Sequence, residues 1–173
     1  INEILFDNEK LYNKKIEGKY VRIRPEEKLI ESEYKIAEQF WNSFFEMLPK
    51  AKNFINKPED HEEYKTKDGG LFYLRPIGQE IIAMYYKHLK TENKLNKFKD
   101  LKKIAEYLES DFWNYVLYNP HKGNVLMNKG NALTYILYNF GVELQPSRLK
   151  ALKSSYFKNS GDLKLNLPDP LFI

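Results

Sequence analysis

Cysteine is absent from all 173 residues. Thiol catalysis, disulfides, iron–sulfur ligation and Cys-built zinc sites are therefore excluded, and the redox compartment stays open, a reducing interior being the simpler expectation. Stability has to come from burial of apolar surface, which a chain of this length can supply. Histidine occurs only as His61, His88 and His121, and no two of them sit in a metal-ligand spacing. No metal and no cofactor are expected. There is no nucleophile-elbow pattern, and no Gly-Lys-Ser/Thr follows a strand, so a Ser-His-Asp hydrolase and a Walker A nucleotide hydrolase are both disfavoured. Apolar runs fall short of the ~18 residues that span a bilayer, and no charged-then-apolar leader opens the chain. The expectation is a soluble, cytoplasmic protein without a membrane partner.

Aromatic residues are plentiful by contrast: 13 Tyr, 11 Phe and 2 Trp. Most must form core, with a few exposed rings able to stack on bases. The net charge is +4, unevenly spread. Residues 1–68 hold 13 Lys/Arg against 15 Asp/Glu, whereas residues 69–173 hold 15 against 9. Basic character thus belongs to the later part, where it would suit an acidic partner such as nucleic acid.

The stretch Asp68-Gly69-Gly70 followed by Leu71-Phe72-Tyr73-Leu74-Arg75-Pro76 organises the rest. Asp-Gly-Gly is turn chemistry, the four apolar residues predict a short strand, and Pro76 suits the first turn of a helix running to Leu89. Arg75 and Gln79 stand at that strand-to-helix junction, where free backbone N–H groups favour anions. Glu80 is the one carboxylate near a structured turn, and a first-turn acid serves the helix dipole. No catalytic set emerges, so the reading leans away from an enzyme.

Upstream, residues 1–24 read as a strap from a preceding domain, with Tyr20–Arg24 alternating like a strand. Pro25 to Leu48 predicts a long helix with an apolar stripe of Ile30, Tyr34, Ala37, Phe40/Trp41, Phe44/Phe45 and Leu48, expected to be the main partner of the Ile77–Leu89 helix. Residues 50–68 read as an exposed connection containing His61. Downstream, a helix is expected over Leu95–Glu109, then two short strands, Trp113–Tyr118 and Asn124–Met127, able to pair with Leu71–Leu74. Helices over Ala132–Phe140 and Ser147–Lys158 end at Gly141 and Gly161. Residues 162–173 form an extended tail that would lie in a groove. The fold class is mainly α (α+β): about five helices with a two- or three-stranded sheet, the helical domain covering 25–161.

Lys-Gly-Asn occurs twice, at Lys122–Asn124 and Lys129–Asn131. Each copy joins a cation, a permissive backbone and an amide. Turn and helix-start chemistry accounts for both, and phosphate or base-edge contact is the functional alternative. In the last helix Arg148, Lys150, Lys153 and Lys158 fall outside while Leu149, Leu152 and Tyr156 fall inside, so Arg148, Lys150 and Lys153 are candidate phosphate contacts.

The run Gly70-Leu71-Phe72-Tyr73-Leu74-Arg75-Pro76-Ile77-Gly78-Gln79 resembles a segment in the later part of DGQHR-domain proteins, the group that includes DndB-type regulators of bacterial DNA sulfur modification. Phe40-Trp41-Asn42 ahead of Leu48-Pro49, and Trp113 before a turn, resemble the same arrangement. The likeness covers roughly residues 26–140. The Asp-Gly-Gln-His-Arg signature does not occur in the chain, so the resemblance implies a C-terminal portion. It further implies a non-catalytic module with DNA, or other DNA-modification proteins, as partners. A helical protein-interaction or scaffolding domain is the alternative.

Overall fold

The computed structural model describes residues 27–64, 66, 69–162 and 165–171. The strap at 1–24 with its Tyr20–Arg24 strand, Asp68 and the His61 side chain lie outside the described residues. The described chain is mainly helical: six α-helices and one two-stranded antiparallel sheet. No described helix is long and apolar enough to cross a membrane.

Helix α1 (Glu27–Met47) starts with an acid in its first turn, and its periodic aromatics turn inward. Phe40, Phe44 and Leu48 are buried, Trp41 and Phe45 half-buried. Tyr34, expected in the stripe, is 64% exposed, because the stripe reaches core only over the last three turns. Pro49 then starts α2 (Pro49–Asn56), where the sequence suggested an exposed connection. A 3-10 turn at Pro58–Asp60 and α3 (His61–Tyr64) follow. Ala51 and Tyr64 are buried and Phe54 packs against the core beside Tyr64, anchors too widely spaced in a polar segment to register as a period.

Helix α4 (Pro76–Thr91) is the centre of the molecule. It buries Ile77, Gly78, Ile81, Ile82, Ala83, Tyr85, Tyr86 and Leu89, far more than one stripe. Its neighbours are the 3-10 turn at Phe72–Leu74, the 3-10 segment Leu95–Lys103, and α5 (Lys129–Asn139). Helix α1 packs mainly on the Leu95–Lys103 segment and meets α4 through Phe40 and Tyr86, whose rings are 5.3 Å apart. It is not the main partner of α4.

Leu71–Leu74 is not a strand. Leu71 makes a single bridge to Tyr107, and Phe72 donates its N–H to the Glu106 carbonyl at 2.9 Å before the chain coils into the 3-10 turn. Gly78 explains the coil: a Cβ there would overlap the Phe72 carbonyl oxygen, so α4 starts in direct backbone contact with the turn. The helix expected over Leu95–Glu109 stops at Lys103 for a related reason. Residues 106–108 turn extended to bond Gly70 and Phe72. Trp113, fully buried, donates Nε1–H to the Ala105 carbonyl at 2.8 Å and lies in a 3-10 turn, Asp111–Trp113. The strands shrink to β1 (Tyr118–Asn119) and β2 (Asn124–Val125), which pair with each other and not with Leu71–Leu74.

Asn128 caps α5, its Oδ1 accepting from the Asn131 N–H at 3.1 Å. Lys129 bonds Glu80 near the start of α4, and the Phe140 ring lies 5.8 Å from that of Tyr85 further along, so α4 and α5 run the same way. At the end of α5, Gly141 (φ 66°) lets the Val142 N–H return to the Leu137 carbonyl at 3.0 Å. The short connection makes α6 (Pro146–Ser160) antiparallel to α5. The tail residues Leu165 and Leu167 pack back against the core.

Candidate functional site

Helix α6 carries Arg148, Lys150, Lys153 and Lys158 and no acid over its 15 residues, ~22 Å of axis. Leu152 and Tyr156 fix the buried side. At about 100° per residue Lys150 and Lys158 project from the opposite side, flanked by Arg148 and Lys153. All four are exposed, and none is in an ion pair among the described residues.

The first Lys-Gly-Asn copy is joined to this helix. Asn119 is 4% exposed. Its Oδ1 accepts from the N–H groups of His121 (3.0 Å) and Lys122 (3.1 Å), and its Nδ2 donates to the Asn159 carbonyl in α6 (3.2 Å). Asn159 Nδ2 donates in return to the Tyr115 carbonyl at 2.8 Å. The reciprocal amides hold the hairpin, with exposed Lys122 and Asn124, at the C-terminal end of α6. Tyr115 sits at φ 62°, a left-handed conformation unusual for an aromatic residue. Its ring lies edge-on to Tyr156 at 5.5 Å, and its Oη is 2.9 Å from His121 Nε2.

Other sequence candidates sit elsewhere or are engaged. Lys129 Nζ is 2.8 Å from Glu80 Oε2, tying the starts of α4 and α5 together, and Asn131 uses its N–H in the α5 cap. Arg75 donates Nε–H and Nη2–H to the Gly69 carbonyl (3.1 and 2.7 Å) and Nη2–H to the Thr66 carbonyl (2.9 Å). On the other side of this loop Glu109 Oε1 accepts the Gly70 N–H at 2.7 Å. Arg75 thus clamps the glycine turn, with half-buried Gln79 one turn into α4.

No protein family matches this chain, and neither does any curated protein or solved structure. Function has to be argued from the residues.

Two polar clusters escaped the sequence reading. Tyr73, fully buried, donates Oη–H to Glu106 Oε1 at 3.0 Å, while Lys50 Nζ approaches Glu106 Oε2 at 2.6 Å and lies 5.0 Å from the Tyr107 ring centre. Burial, then the Glu106 charge, pushes the Tyr73 phenol far up, and the Glu106 hydrogen bond raises Lys50. Each member answers another, which describes a structural tie. The second cluster lines a cleft of about 470 Å³ where α4 ends. Lys94, Lys97 and Lys103 face Glu92, Asp100 and Glu143, with Lys94–Glu92 at 3.6 Å and Lys103–Asp100 at 3.0 Å. His88 lies in this cleft, its pKa lowered by burial, with Arg148 and Lys94 adding to the effect against Glu92. Arg148 therefore sits at the far end of α6 from Lys122. Among the described residues no group of three or more acids and histidines could hold a metal ion.

Proposed function

We propose that this chain is a non-catalytic, DNA-associated module that lays α6 along the phosphate backbone of duplex DNA. The observation that carries the reading is the acid-free exposed side of α6, four cations within ~15 Å of axis with no ion pair among the described residues. Lys122, on the hairpin that Asn119 and Asn159 hold at the C-terminal end of α6, is the fifth cation of the reading. Asn124 on the same hairpin is the amide nearest to a base-reading role. The resemblance of residues 70–79 to DGQHR-domain proteins supports the same partner. Arg75, Gln79, Lys129 and Asn131 stay outside this reading: the Arg75 and Lys129 charges are in use within the fold, and Asn131 lends its backbone N–H to the α5 cap.

Fluorescence anisotropy with a labelled duplex, repeated over a range of salt, is the test. Five phosphate contacts give a slope of log K against log salt of about −4.5, and Lys150→Ala/Lys158→Ala reduces its magnitude by about 2. Lys129→Ala leaves the slope unchanged. Absence of binding at low salt, or the same slope for the double variant and the parent, ends the proposal.

A further inference from the structure

Helices α4 and α5 run the same way, so both C-terminal ends arrive at one end of the molecule, and each is turned back there by a left-handed residue. Asn93 (φ 55°) lets the Lys94 N–H return to the Leu89 carbonyl at 2.7 Å and sends the chain into the 3-10 segment Leu95–Lys103. Gly141 does the same for α5 and starts the connection toward α6. These two exits form the walls of the cleft of about 470 Å³, and Tyr85, Leu89, Phe140 and Val142 give it an apolar floor, the Tyr85 and Phe140 rings lying 5.8 Å apart. Volume and floor suit a small ligand with an apolar body.

The charges around the cleft identify the rest of that ligand. Three cations and three anions line it, and two pairs of them close within the protein, Lys94–Glu92 at 3.6 Å and Lys103–Asp100 at 3.0 Å. Lys97 on one wall and Glu143 on the other are left over, with no ion pair to each other or to any other of the described residues. One unanswered charge of each sign, on either side of an apolar floor, calls for a partner that carries both. The ends of α4 and α5 add the negative poles of two helix dipoles, which favour an ammonium group here. The Tyr85 hydroxyl and the His88 imidazole also line the cleft, and neither has a hydrogen-bond partner among the described residues. Burial raises the Tyr85 phenol and lowers His88, so both stand neutral near neutral pH and offer hydrogen bonds without upsetting the charge balance.

We propose that this cleft binds a small zwitterion, an α-amino acid with an apolar side chain: Lys97 takes the carboxylate, Glu143 takes the ammonium, and the side chain lies against Tyr85 and Phe140. None of the cations assigned to DNA lines the cleft, so the two sites stand or fall separately.

The test follows backbone amide resonances of the intact chain as L-phenylalanine is added. A Kd on the order of 1 mM is expected for so small a ligand, with the moving amides at 85–97 and 140–143. Phenethylamine lacks the carboxylate and N-acetyl-L-phenylalanine lacks the ammonium. Each should bind more weakly by a factor of about 2 to 12, the span between an exposed ion pair and a charge-assisted hydrogen bond. Lys97→Ala removes the preference over phenethylamine, and Glu143→Ala removes the preference over N-acetyl-L-phenylalanine. Both side chains are exposed, so the variants keep the fold. Amides that stay fixed at ~10 mM L-phenylalanine, equal binding of all three compounds, or a variant that keeps the preference it should lose overturns the proposal.

Discussion

Two regions of the molecule handle polar groups in opposite ways. At the junction where residues 69–75 meet 104–113, the charges answer partners: Arg75 caps carbonyls, Glu109 takes the Gly70 N–H, and Glu106 joins Tyr73 to Lys50. Along α6 the side chains that bond are uncharged, the amide of Asn159 beside Asn119 and the hydroxyl of Ser160, while the cations are exposed. The difference shows why counting charges says little about partners. Basic residues matter where the fold leaves them unanswered, and the later part of the chain contains both kinds.

The two helix glycines give the harshest contrast. Gly78→Ala drives a methyl into the Phe72 carbonyl, and neither backbone can retreat without moving α4. A loss of at least ~3 kcal/mol is expected in urea unfolding. At Gly130, in the open first turn of α5, the nearest atom to an added Cβ is Asn128 Oδ1 at 3.9 Å. There alanine should stabilise by about 0.5–1 kcal/mol through the unfolded state. Equal effects at both sites would mean that the junction is far looser than described.

Ion pairs make the next comparison. Glu106→Ala leaves the buried Tyr73 hydroxyl without its acceptor and releases Lys50, for an expected cost of about 1–3 kcal/mol. The Lys129–Glu80 pair, with side chains 45% and 48% exposed, should lose no more than ~1 kcal/mol on Glu80→Gln. Denaturation midpoints at low and high salt separate them: the Glu80 effect fades with salt, and the Tyr73 part of the Glu106 effect persists. Smaller still is the effect on stability of Lys150→Ala/Lys158→Ala, within about 0.5 kcal/mol, because neither side chain answers another. A larger loss would place α6's cations among the structural ties.

The same contrast separates what was legible in the sequence from what was not. Helices α1, α4, α5 and α6 announce themselves through apolar periods, Pro76 and Pro146 at their starts and Gly141 and Gly161 past their ends. Those are local signals, and the outward placement of Arg148, Lys150, Lys153 and Lys158 follows from the same period. Leu71–Leu74 misled because four apolar residues imply a strand only if a neighbouring strand is present. Here the neighbour is Gly78, whose missing side chain lets a helix start occupy that space. Glu106 meets Lys50 across 56 positions, and Lys129 meets Glu80 across 49, so no window of sequence contains either pair. The hairpin's attachment to α6 was hidden likewise: Asn119 and Asn159 are 40 residues apart, although Asn119-Pro120 was readable as a turn.

The gentlest probe of the α6 side of this comparison is His88, in the cleft where Arg148 of α6 comes near α4. Burial, aided by Arg148 and Lys94, lowers its folded pKa below the usual value of about 6.5, and Glu92 opposes the shift only in part. The unfolded chain therefore takes up this proton before the folded one does. Stability from the neutral imidazole is complete above pH ~6.5 and drains away as pH falls from there toward the lower folded value. His88→Gln should flatten that portion of a stability-against-pH curve. Arg148→Ala, by removing one cation, should raise the histidine's pKa in an NMR titration and bring the onset of proton uptake by the folded state closer to that of the unfolded chain. A His88 resonance that ignores Arg148→Ala would separate the cleft from α6 electrostatically and leave Arg148 among the cations that the fold does not answer.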